Sequence, residues 1–201
     1  MQTVLIASLL FDASDIGTTV FLPLLQEGFM VKAQVGCSMA DMLREQFGLS
    51  STYIEDRIRT AFLDGQPVDD FEAVIISDGS TLALSAAMPG LVGATFRKGG
   101  MLASFRGTIT HQSSNIGTEL RQGIVSIKLF NFLAKEIGDA FLKRGIFINT
   151  QAAESFFSLQ PDRFWATCKA ARMDGQDLQV EQLPGIIWSE REGFVCIRVD
   201  F

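Results

Sequence analysis

The stretch 82-LALSAAMPGLVGATFRKGGMLASF-105 is where the chain turns from one half into the other. A strand of small residues runs into Met88-Pro89-Gly90, and Gly93, Arg97-Lys98 and Gly99-Gly100 follow before apolar residues resume at Met101. Four glycines in the eleven residues from Gly90 to Gly100 mark backbone that bends freely or lets a partner approach, because glycine has no Cβ to clash. Pro89 fixes φ and lacks an N–H, so the strand is expected to end there. The hinge is expected to divide the chain into a domain over 1–100 and a second over 101–201.

Upstream of this hinge, Thr3 to Leu10 is an apolar run suited to a buried strand, and Phe21, Leu22, Leu24 and Leu25 around Pro23 read equally as a short helix or a packed loop. Phe29 to Val35 alternates apolar and polar residues at period two, the pattern of a half-buried strand. Ser38 followed by Asp41 resembles a capping box, and Met39, Met42, Leu43 and Phe47 share one helical face before Gly48. Arg57 to Leu63 reads as a strand turning at Asp64-Gly65, a dipeptide that accepts the positive φ of a tight hairpin. Val74 to Ile76 and Thr81 to Ser85 flank a second turn at Asp78-Gly79.

Downstream, Met101 to Thr110 is a strand candidate. Leu129, Leu133, Ile137 and Phe141 then recur at four-residue spacing within a helix predicted over Ile124 to Arg144 and closed by Gly145, its first turn reading equally as strand. Ile146 to Thr150 reads as a strand and Ala152 to Leu159 as a helical turn ended by Pro161. Phe164 to Met173, Asp177 to Leu183 with Ile186 to Trp188, and Phe194 to Phe201 follow as antiparallel strands around Asp174-Gly175 and Glu190 to Gly193. The fold class is therefore α+β, the second half carrying one long helix on an antiparallel sheet.

The order of elements in the first half, with FLDGQPV and ISDGSTLALSAAMPG, is similar to that of the β-grasp, ubiquitin-like sulfur carriers, the small subunit of molybdopterin synthase and the thiamine-pathway carrier. The resemblance covers about residues 1–100. It implies a helix crossing a mixed sheet and a tail ending in Gly-Gly, whose terminal carboxylate is adenylated and thiocarboxylated. Here Gly99-Gly100 is internal, so a carrier role requires cleavage after Gly100. The other reading is a glycine-rich connection.

Composition narrows the function classes. With 47% apolar residues, 20% charged and 17 Phe, the chain has ample material for a core. Its net charge of −6 lies wholly in residues 1–105, with 12 acids against 6 bases, while residues 106–201 hold 11 of each. That balance disfavours nucleic acid and anionic membrane and suits a basic protein partner. The N-terminal apolar run has no basic flank and meets Asp12 early, so it reads as a strand rather than a signal peptide, and cytoplasm is the default compartment.

The three cysteines, Cys37, Cys168 and Cys196, form no CxxC pair, and His111 is the single histidine, so no thiolate or histidine metal site is expected. Cys37 precedes a helix N-cap, where a thiol pKa can fall, but inert cysteine is the favoured reading. Asp69-Asp70 and Glu72, near Asp64 and Asp78 in sequence, offer oxygen ligands for a hard cation in no known loop spacing, and solvated turns explain them as well. No catalytic set and no cofactor motif is present. The candidate binding residues are those of the hinge: Gly90, Gly93, Arg97, Lys98, Gly99 and Gly100. The chain is expected to be a non-enzymatic interaction or carrier-like module with a protein partner. The alternative is a small-ligand binder or enzyme with its site at the junction of the halves, lined by Arg97, Lys98 and His111.

Overall fold

The computed structural model describes residues 4–14, 17–86 and 119–201. The protein is α+β, with helices and a mixed arrangement of strands. In chain order the elements are β1 (Leu5–Asp12), α1 (Leu22–Glu27), β2 (Phe29–Val35), α2 (Met39–Asp41) continuing as a π-helical segment (Met42–Gln46), α3 (Ser51–Arg57), β3 (Thr60–Leu63), β4 (Gln66–Pro67) and β5 (Thr81–Ser85). After the undescribed stretch come β6 (Arg121–Phe130), α4 (Phe132–Arg144), β7 (Ile146–Asn149), α5 (Thr150–Phe157), α6 (Asp162–Trp165), β8 (Cys168–Met173), β9 (Gln176–Leu178) and β10 (Phe194–Asp200).

Several elements follow directly from local sequence. β2 buries Phe29, Val31, Ala33 and Val35 and leaves Lys32 and Gln34 exposed, as its period-two pattern requires. Two of the three Asp-Gly pairs make tight hairpin turns: Asp64 and Gly65 have φ of 50° and 81° and join β3 to β4, and Asp174 and Gly175 have φ of 50° and 80° and join β8 to β9.

Other elements differ from the sequence reading. The strand expected from Arg57 begins only at Thr60, because Arg57 closes α3, a helix capped by Ser50, whose hydroxyl accepts from the Tyr53 N–H at 3.1 Å. The helix expected over Ile124 to Arg144 is two elements. Val125, Ile127 and Leu129 are buried at period two in β6, Asn131 turns the chain at φ 56°, and the helix starts at Phe132. Leu129 and Leu133 are four residues apart, so helical spacing ran across a strand end. Phe164 and Trp165 belong to α6, and their strand begins at Cys168. After β9 the expected strand over Asp177 to Leu183 gives way to 3-10 turns over Val180–Gly185 and Trp188–Glu190. Val74 to Ile76 makes one isolated bridge, Ser38 with Ile75.

The described chain groups into two compact units, one of residues 1–29 with 137–201 and one of residues 30–136. The expected boundary at residue 100 lies outside the described residues. In the first unit the strand order is β7-β10-β1-β8-β9. β1 runs parallel to β10, with Leu9 opposite Ile197 and Phe11 opposite Val199, and antiparallel to β8. The N-terminal strand thus pairs with the last third of the chain, and the sheet there is mixed rather than antiparallel. Phe11, Phe21, Phe164 and Phe157 cluster in its core with tilted and edge-on ring contacts, Phe11 and Phe164 ring centroids being 4.8 Å apart. In the second unit the order is β4-β3-β5-β6-β2, with β5 parallel to β6 and antiparallel to β3. Of the helical face expected after β2, Met39, Met42 and Leu43 are buried and Phe47 is half-buried.

Candidate partner-binding cleft

The hinge residues Gly90, Gly93, Arg97, Lys98, Gly99 and Gly100 lie outside the described residues, as does His111. Among the described residues, the clearest charged cleft is in the second unit, beside the helical stretch after β2.

Its frame is backbone. Ser38 caps α2, its hydroxyl accepting from the Asp41 N–H at 3.0 Å and donating to the Asp41 carboxylate at 2.8 Å. The segment after the acidic run is laced along this start: Gly36 N–H donates to Ile76 O, Ile76 N–H to Cys37 O, Met39 N–H to Val74 O and Ala40 N–H to Phe71 O, at 2.8 to 3.0 Å. The helix then widens, the Phe47 N–H reaching back five residues to the Met42 carbonyl at 3.1 Å. Such π segments are rare and often accompany functional sites. Arg44 sits in this segment.

Arg44 is the cation of the cleft. Its Nη1 donates to Glu72 Oε1 at 2.6 Å and its Nη2 to Glu72 Oε2 at 3.2 Å, a two-pronged pair, while Nη2 also donates to Asp41 Oδ1 at 2.9 Å. Glu72 first and Asp41 second hold the guanidinium more firmly protonated than usual. The Asp41 carboxyl is held below its ordinary value by the Ser38 hydroxyl and then by Arg44. The cleft, of about 270 Å³, is lined by Arg44 together with Ser51, Glu55, Asp69, Asp70 and Glu72, over a floor of Ile54 and Phe71. Asp70 caps its own turn, accepting from the Glu72 N–H at 3.0 Å and the Ala73 N–H at 3.2 Å. Four carboxylates thus surround one guanidinium whose charge is already matched.

The acidic run at Asp69-Asp70 and Glu72 was visible in sequence, whereas its companions Arg44 and Glu55 were not. Arg44 and Glu72 are 28 positions apart, and no local pattern announces that contact. Asp64 and Asp78 are elsewhere: Asp64 accepts from Ser80 Oγ at 3.2 Å and Thr81 N–H at 2.7 Å, and Asp78 accepts from Ile124 N–H at 2.8 Å. Both brace turns. Among the described residues no group of three or more His, Cys, Asp or Glu is placed to hold a metal ion.

Cys37 does not have a lowered pKa. Desolvation pushes its thiol up, and Sγ accepts from Gln46 Nε2 at 3.4 Å. Nearby in sequence, Tyr53 donates to Glu136 Oε2 at 2.7 Å, and Arg57 pairs with the same carboxylate, tying α3 to the first turns of α4. Burial first, and then the Glu136 anion, push the Tyr53 hydroxyl pKa up.

No protein-family model, curated protein or solved structure matches the chain. No described helix is long and apolar enough to cross a membrane.

Proposed function

We propose that the chain is a non-enzymatic protein-interaction module whose cleft at Arg44 receives a basic segment of a protein partner. The observation that carries the reading is the charge of the cleft: Glu55, Asp69, Asp70 and Glu72 gather around Arg44, which is already paired with Asp41 and Glu72. Glu55 has no hydrogen-bond or ion-pair partner among the described residues. The apolar floor of Ile54 and Phe71 would accommodate the aliphatic stem of a lysine or arginine while its head meets the carboxylates. The acidic excess of residues 1–105 would steer a basic partner toward this face at low salt.

An oligolysine peptide titrated into the full chain tests this by calorimetry. Binding should weaken steeply with added salt, and Glu55→Lys with Asp70→Asn should weaken it about tenfold or more while moving the melting temperature little, since exposed substitutions usually cost below about 0.5 kcal/mol. Salt-independent binding, or none, removes the reading. The carrier-like part of the proposal rests on the β-grasp resemblance and on cleavage after Gly100. The intact mass of the protein from its own cells reads it directly, a species ending at Gly100 being required.

A further inference from the structure

We propose that the first unit carries a second, independent site, a cleft for a small neutral polyhydroxylated molecule of monosaccharide size. The cleft lies between α5 and the turns over 183–188 and measures about 290 Å³. That is just below the usual size of ligand sites, about 300–1,000 Å³, and suits a small molecule. Its walls include Glu154, Phe157, Ser158, Trp165 and Trp188, with the Leu183-Pro184-Gly185-Ile186-Ile187 backbone closing it.

The hydrogen-bonding inventory selects the ligand. Glu154 Oε2 accepts from the Trp188 N–H at 2.6 Å and the Ser189 N–H at 3.4 Å, which anchors the loop, and Glu154 Oε1 has no partner among the described residues. Trp165 and Trp188 are only 6% and 1% exposed, and among the described residues neither indole N–H has an acceptor. Buried donors of this kind are rarely left unmatched. Ser158 Oγ donates to the Ser155 carbonyl at 3.4 Å and keeps its own acceptor capacity. The cleft therefore offers a free carboxylate oxygen at Glu154 and has two indoles with unmatched N–H groups in its lining.

A hydroxyl group is both donor and acceptor. An ammonium ion would satisfy Glu154 but offers the indoles nothing. An anion would meet the Glu154 carboxylate with no Lys or Arg in the lining to offset it. A neutral molecule bearing several hydroxyls can donate to Glu154 and also accept from an indole N–H.

The chain's only two tryptophans both line this cleft, so intrinsic emission reports its occupancy. D-glucose, D-ribose and myo-inositol are titrated separately into the full chain. At least one should give a saturable emission change. Gly185→Leu adds a bulky side chain at a lining residue without strain, since a Cβ there meets nothing within 4 Å and the backbone is not left-handed. It should weaken the response about tenfold or more at an unchanged melting temperature. If that variant melts early, Ser158→Met, which enlarges a side chain at another lining residue, replaces it with the same expectation. No saturable change with any of the three, a response to methylammonium chloride alone, or an undiminished response in the filled variant overturns the proposal.

Discussion

At Gly193 the backbone has φ of +140°, and a Cβ built there would stand 2.6 Å from the Val4 carbonyl oxygen and 2.8 Å from Ile6 Cγ2. Gly193 donates no side chain to anything, yet it lets the loop before β10 close against the start of β1. Gly193→Ala should therefore cost several kcal/mol, about 2–3 or more, through a clash with backbone that cannot rotate away. Gly138→Ala meets only the end of the Leu25 side chain, which can shift, and should cost less. Chemical denaturation of the two variants in parallel checks the order. Cysteine reactivity belongs to the same scale. Cys168 is buried, and desolvation pushes its thiol pKa up to about 11. It should resist maleimide at neutral pH in the folded protein and react on unfolding.

Among the elements, α2 depends most on one side chain. The Ser38 hydroxyl satisfies the Asp41 N–H and also donates to the Asp41 carboxylate, so Ser38→Ala should cost about 1 kcal/mol, read as a lower denaturation midpoint at constant slope. The elements are also tied together by carboxylates held in their charged form. Asp12 is pulled below its ordinary value of 3.8 mainly by Lys169, then by Ser14. Asp41 is pulled down by Ser38 and then Arg44, and Glu136, ordinarily 4.5, by Arg57 and then Tyr53. For each, the unfolded chain takes up its proton first as pH falls. Their contribution is therefore present above the unfolded values and lost as pH falls through the depressed folded ones. The melting temperature should decline below about pH 4. The combined Asp12→Asn, Asp41→Asn and Glu136→Gln variant should melt lower at neutral pH and show a flatter acid limb. An unchanged acid limb in that variant would discount these three groups.

For the molecule, the placement of β10 is decisive. It is hydrogen-bonded on both sides within its unit, parallel to β1 and antiparallel to β7, and it buries Val195, Ile197 and Val199 completely. A chain truncated before Phe194 loses the strand on which β1 and β7 both pair. Circular dichroism should show its cooperative melting transition lost or sharply broadened, where a merely peripheral strand would leave it intact. The aromatic layer over that sheet behaves similarly. Phe164→Ala removes contacts to Phe11, Phe21, Phe156, Phe157 and Trp165 and should cost about 3–5 kcal/mol.

Sequence alone determined what short-range physics controls. The alternation of Phe29 to Val35, the Ser38 cap and the two Asp-Gly hairpins depend on neighbours within a few positions. It also determined the α+β class, since strand-like and helix-like patterns both recur along the chain. Tertiary structure alone decided that Leu9 faces Ile197, that Arg44 meets Glu72, and that Glu154 anchors the turn at Trp188. A contact between distant positions leaves no periodic trace in either segment. Many partners satisfy each apolar strand or lone charge equally well in one dimension, and the choice among them is made only when the whole core closes.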